Sequence, residues 1–126
     1  MGFLGDTPVA GFYRAKLVSD GPYVALRIWF GAPIIGGTEQ DRSPRWNIEV
    51  DGETTFIERD ADTGYRCSVL YDVYRFWPHC GRSKICENEY RYMKDFAAYA
   101  KAHAQHLPEA SPRSPINLVG GKSLRP

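Results

Sequence analysis

The sequence predicts an α+β fold: a small antiparallel sheet or open barrel of two hairpins, packed against a short helix and a long C-terminal helix. Three observations predict it. Apolar and polar residues alternate at period two through much of the first half, the pattern of half-buried strands. Asp20-Gly21 and Asp51-Gly52 interrupt that alternation where hairpins turn. After Ser68 the apolar spacing lengthens to that of a helix, and one sustained helical pattern runs from 87 to 107.

Taken in order, residues 1–10 mix Gly, Asp and Pro and read as a lead-in. In the first hairpin Phe12, Arg14 and Lys16 alternate with Tyr13, Ala15 and Leu17. Its return strand sets Val24, Leu26, Ile28 and Phe30 on an apolar face directed at the core, opposite Tyr23, Ala25, Arg27 and Trp29. An edge strand carrying Trp29 offers a route to a homodimer. Residues 31–45, rich in Gly and Pro and without period, form a loop of roughly fifteen residues, a length that favours function or mobility. The second hairpin pairs Arg45 to Val50 with Thr54 to Glu58 across Asp51-Gly52, and 59–64 is turn chemistry.

Val69, Leu70, Val73, Phe76 and Trp77 recur at helical spacing behind Ser68, an acceptable N-cap, and Pro78 is expected to stop that helix. Cys86 takes the cap position of the long helix, with Glu89 where a capping box places its acid. One stripe of that helix holds Tyr90, Met93, Ala97, Ala100, Ala104 and Leu107. A second holds Tyr92, Phe96, Tyr99, His103 and His106, leaving Arg91, Lys94, Lys101 and Gln105 for water. Pro108 ends the helix. We expect a single α+β domain over 1–107 and a Pro-rich, partly disordered tail over 108–126, in which Ile116, Leu118 and Val119 dock.

Composition narrows the function classes. A net charge of +1 excludes global steering toward nucleic acid or an anionic membrane, so an electrostatic site has to be local. No apolar run approaches the ~20 residues of a membrane span, and the N-terminus lacks a signal-peptide pattern. Three cysteines without tight spacing suit reduced thiols in a cytoplasm. No cofactor motif is present: the GGKS at 120–123 lacks the following helix a phosphate loop needs.

Four constellations compete for chemistry. Cys80, Cys86, His103 and His106 are zinc-ligand types, but five residues separate the cysteines and sixteen separate Cys86 from His103, so one helix cannot bring both ends to one ion. Cys86 at a helix N-terminus near Arg82 and Lys84 is a candidate thiolate, without an identifiable orienting group. Glu49, Asp51, Glu53, Glu58, Asp60 and Asp62 crowd the second hairpin, yet no lysine lies between Lys16 and Lys84 to complete a nuclease strand. Finally, arginines interleave with rings. Arg27 with Trp29, Arg42 and Arg45 with Trp46, Tyr74 with Arg75, and Arg91 with Tyr90 and Tyr92 suit stacking on bases and gripping of phosphates, and equally suit protein interfaces. Arg27, Trp29, Arg42, Arg45 and Trp46 are the expected binding set.

The stretches GFYRAKLV, VALRIWFGAP, DRSPRW, ENEYRYM and PEASPRSPINL resemble uncharacterised small proteins of proteobacterial phages and prophages. Those sequences favour Ser, Thr or Asp at the helix cap where this chain has Cys86, which argues against a shared cysteine nucleophile. The resemblance implies a small accessory protein inside an infected bacterium, acting by binding more often than by catalysis, anti-defence inhibitors included. The leading expectation is therefore a non-enzymatic cytoplasmic binding protein that contacts nucleic acid, a host protein or a nucleotide through the Arg/Trp surface at 27–46. A small enzyme on Cys86 or the 49–62 carboxylates, and a virion or assembly component, are the alternatives.

Overall fold

The computed structural model describes residues 7–114. The fold is α+β. Strands β1 (Gly11–Lys16), β2 (Tyr23–Gly31), β5 (Arg45–Val50) and β8 (Lys84–Ile85) form an antiparallel sheet in the order β5-β2-β1-β8. A short hairpin of β3 (Ile34–Ile35) and β4 (Thr38–Glu39) and a ribbon of β6 (Thr55–Arg59) and β7 (Arg66–Leu70) stand apart from it. Helices α1 (Val73–Cys80) and α2 (Glu87–His103) complete the fold, followed by a 3-10 turn, Pro108–Ala110. No helix among the described residues is long and apolar enough to cross a membrane.

The two helices cover opposite faces of the sheet. Register pairs Tyr13 with Leu26 and Leu26 with Val50, so Tyr13, Ala15, Val24, Leu26, Ile28, Ile48 and Val50 share one face. Val73, Trp77 and Cys80 of α1 close that face into the core. Strand alternation puts Phe12, Arg14, Arg27 and Glu49 on the other face, under α2, where Phe12 meets the Tyr90 ring at 4.6 Å. Ala97 and Ala100 are buried on the stripe expected of them, and Ala25 is buried too. Small side chains let helix and sheet approach closely. Lys94 and Lys101, assigned to water by helical spacing, instead reach acids of the sheet: Lys94 lies 3.5 Å from Glu49 and Lys101 2.7 Å from Asp51.

Several expectations are corrected. The second hairpin turns at Asp51 (φ 54°) and Gly52 (φ 88°), but its pairing stops after the Val50–Glu53 bridge. Thr54 then turns aside, its hydroxyl donating to the Ile34 carbonyl and its carbonyl accepting the Tyr71 N–H, so β6 pairs with β7 instead. Ser68 is thus a strand residue. The true cap of α1 is Asp72, which accepts the Tyr74 N–H at 3.0 Å. Pro78 lies inside α1 on an exposed position, and the helix closes two residues later with Gly81 donating to Trp77. Trp29 belongs to an inner strand, which removes the edge-strand route to a dimer drawn through it. Phe30 is 58 % exposed, because β2 outruns the core at that end.

Helix α2 ends at His103, short of Leu107, and the chain beyond continues to pack. Pro112 is buried against the first hairpin's turn: a Cβ on Gly21 would meet the Pro112 carbonyl at 2.8 Å and Val18 Cγ2 at 2.9 Å. Gly21 is there for close approach, not for a positive φ. The expected docking of Ile116, Leu118 and Val119 lies outside the described residues, as does 120–123.

Candidate functional site

The loop at 31–45 is clamped along its length. Its β3–β4 hairpin turns through Gly36 and Gly37, both at positive φ, and Gln40 donates to the Pro33 carbonyl at 2.9 Å. The buried Asn47 closes the loop's base, its Nδ2 donating to the carbonyls of Gly31 (2.9 Å) and Arg45 (2.8 Å). A buried amide satisfied in this way fixes both ends at once. Alternation reads Asn47 only as a strand residue, so the clamp is not legible from the pattern.

The clamp sets Arg42, Pro44, Arg45 and Trp46 against Phe30 and Tyr74 around a cleft of about 610 Å³. Phe30 stands edge-on to Trp46, centroids 5.5 Å apart, and Tyr74 at the start of α1 is 55 % exposed. Trp46 also packs on the core, so it is a wall of the cleft more than a free ring. Among the described residues, neither Arg42 nor Arg45 has a carboxylate within salt-bridge distance. Asp72, the acid of the cleft, is engaged as the helix cap. Two free guanidinium groups beside ring faces can hold an anion and a planar group together.

The five arginines and tryptophans singled out from the sequence do not form one surface. Arg42, Arg45 and Trp46 line the cleft. Strand alternation sends Arg27 and Trp29 to the sheet face carrying α2, where Arg27 lies over the Trp29 ring at 4.9 Å. That pair is an internal cation–π contact. Alternation assigns Phe30 to the core, and Tyr74, legible beside Arg75 in the interleaving, falls outside the expected set of five because the expected helix starts too early.

The other constellations are scattered. Cys86 caps α2 by accepting the Glu89 N–H, while His103 is the last residue of that helix, about 25 Å away. Cys80 is buried in the core, and burial pushes its thiol up to about 11. Among the described residues no three His, Cys, Asp or Glu side chains gather as ligands. The carboxylates divide likewise: Glu49 accepts from the Tyr90 hydroxyl, Asp51 meets Lys101, and Asp60 accepts the N–H groups of Asp62 and Thr63. Those two bonds hold the Asp60 carboxyl below the usual carboxylate range. On the outer side of α2, Tyr92, Phe96, Tyr99 and His103 run as a ladder with neighbouring centroids 5.4–6.5 Å apart, their rings set largely against one another.

Comparison with protein-family models, with curated proteins and with solved structures finds no match. The fold defines an α+β domain with a four-stranded antiparallel sheet between two helices, and its functional reading rests on the cleft.

Proposed function

We propose that this chain is a non-enzymatic intracellular binding protein of phage type, whose cleft at Phe30, Arg42, Arg45, Trp46 and Tyr74 holds nucleic acid with exposed bases. The observation that carries the reading is the pair of guanidinium groups without carboxylate partners beside the exposed rings of Phe30 and Tyr74. Arginine answers phosphate, and a ring face answers any base. The phage setting and the intracellular location rest on the sequence resemblance and on the three unpaired cysteines. Nucleic acid is favoured over a host protein because unpaired charge borders the rings, where protein-interface cores are depleted of charge.

The test is fluorescence anisotropy with labelled oligothymidylate and a Phe30→Ala/Arg45→Glu variant. Phe30 is chosen over Trp46 because truncating Trp46 would also open the core. The variant is expected to lose about tenfold to a hundredfold in affinity, as fits one lost stacking contact and one reversed charge, with an unchanged melting temperature. On a strand short enough to occupy this cleft alone, wild-type binding should weaken with salt at a logarithmic slope of about −1.4, as fits two arginines each neutralising one phosphate. A wild-type protein that ignores oligonucleotide at low salt would refute this reading.

A further inference from the structure

We infer that the binding surface continues past this cleft along α1 into a second basic, aromatic cleft, so that the ligand is an extended single strand and not a mononucleotide. The inference rests on the nucleic-acid reading above and names the form of the ligand.

The second cleft, of about 570 Å³, lies between α1 and the β6–β7 ribbon. Phe56, Tyr71 and Phe76 pack in sequence beside it, centroids 5.0 and 5.6 Å apart. Arg75, His79 and Arg113 also line it. Arg75 and His79 stand one helical turn apart, on the same side of α1. Arg113 lies over the Tyr71 ring at 5.5 Å and donates to its hydroxyl. Asp72 lines both clefts, and the adjacent residues Tyr74 and Arg75 serve one cleft each. The two therefore meet at the start of α1, a helix of eight residues and about 12 Å. That is a path for several nucleotides, longer than any single phosphate group.

Charge pairing supports the same path. Each ion pair among the described residues, Arg14–Glu89, Arg91–Glu87, Lys94–Glu49 and Lys101–Asp51, involves α2 or the sheet face beneath it. Arg14, Arg91, Lys94 and Lys101 there are answered by acids of the same chain, and Arg27 lies over the Trp29 ring. Among the described residues Arg42, Arg45, Arg75 and Arg113 have no such carboxylate, although Arg113 is already engaged by Tyr71. The acids of the two clefts are Glu58 and the capping Asp72. Lys16 borders the second cleft, but its ammonium sits over the Tyr23 ring at 5.3 Å. Arg59, Arg66 and Arg82 likewise lack an ion pair among the described residues, so it is the shared lining of the two clefts that sets Arg42, Arg45 and Arg75 along one line. A rod of phosphates is the ligand chemistry that line fits.

The test compares labelled oligothymidylates of two and ten nucleotides on wild type and on an Arg75→Glu/Arg113→Gln variant shown by thermal melting to be folded. Comparing proteins at each length cancels the larger number of registers on the longer strand. The variant is expected to bind the decamer at least tenfold more weakly and the dinucleotide as wild type does, with the decamer's logarithmic salt slope reduced by about 1.4. Decamer binding equal to wild type overturns the extended path and leaves the first cleft's reading standing. If wild type binds neither length, both fall, and the surface belongs to a protein partner.

Discussion

Cys80 illustrates how position fixes the chemistry of a side chain. A thiol at a helix end beside histidine in sequence looks reactive, yet Cys80 is fully buried beneath the sheet, and burial raises its thiol from 9.0 to about 11. The folded state therefore favours the protonated thiol. Stability from this group is fully present below pH 9 and is lost as pH rises through 11, by about 3 kcal/mol. Tyr13 and Tyr90 are also raised, chiefly by burial, so the loss continues in the same direction at higher pH. Urea titrations at pH 8 and pH 10.5 should show the decline, and Cys80→Ala should make it shallower over that interval, leaving the part that the buried tyrosines begin to contribute above pH 10. A wild type equally stable at both pH values would contradict the burial argument.

At the level of elements, α2 was legible because its signals agree. Cys86, Glu89 and the Tyr90–Ala97–Ala100–Ala104 stripe each mark the same helix, and the cap and buried positions fall where the pattern puts them. Strands β1, β2 and β5 were legible from alternation for the same reason. The ribbon was not. Val69 and Leu70 form a short apolar run that a helix and a strand read equally well, and only pairing with 55–59 decides between them. The cleft was partly legible: Arg42, Arg45 and Trp46 are marked by their spacing and Tyr74 by its neighbour Arg75, whereas Phe30 depends on where β2 outruns the core and the joining of Tyr74 to the others on where α1 begins. The cap of α2 carries its own prediction. A thiol accepting the Glu89 N–H at 3.4 Å is a longer contact than a hydroxyl makes. Cys86→Ser should therefore stabilise the protein by about 0.5–1 kcal/mol in urea unfolding and leave oligonucleotide binding unchanged. Loss of binding in that variant would reopen a role for the thiol.

Across the whole molecule, the layers are held by different forces. The α1 side is an apolar core, whereas the α2 side is joined by polar contacts that cross between helix and sheet. Tyr90 is their centre: its hydroxyl donates to Glu49, Lys94 donates to that hydroxyl at 3.2 Å, and its ring packs on Phe12. Tyr90→Phe keeps the ring and removes the hydroxyl, leaving the partly buried Glu49 with Lys94 at 3.5 Å. The expected cost is about 1–3 kcal/mol in chemical denaturation, with faster amide exchange concentrated in α2. Unchanged stability and exchange would mean that the alanine stripe alone holds the layer.

The close fit of Gly21 to Pro112 has a consequence during synthesis. The first hairpin leaves the ribosome about ninety residues before the segment that packs against its turn. At ~5–20 residues per second that interval is roughly 5–20 s. Through most of it the nascent hairpin also lacks α2. The face awaiting that helix carries Arg14, Lys16 and Arg27, and charge on an uncovered strand surface discourages pairing with other chains. Charges that in the finished fold lie against α2 or over rings of the sheet thus keep the unfinished sheet from aggregating while it waits.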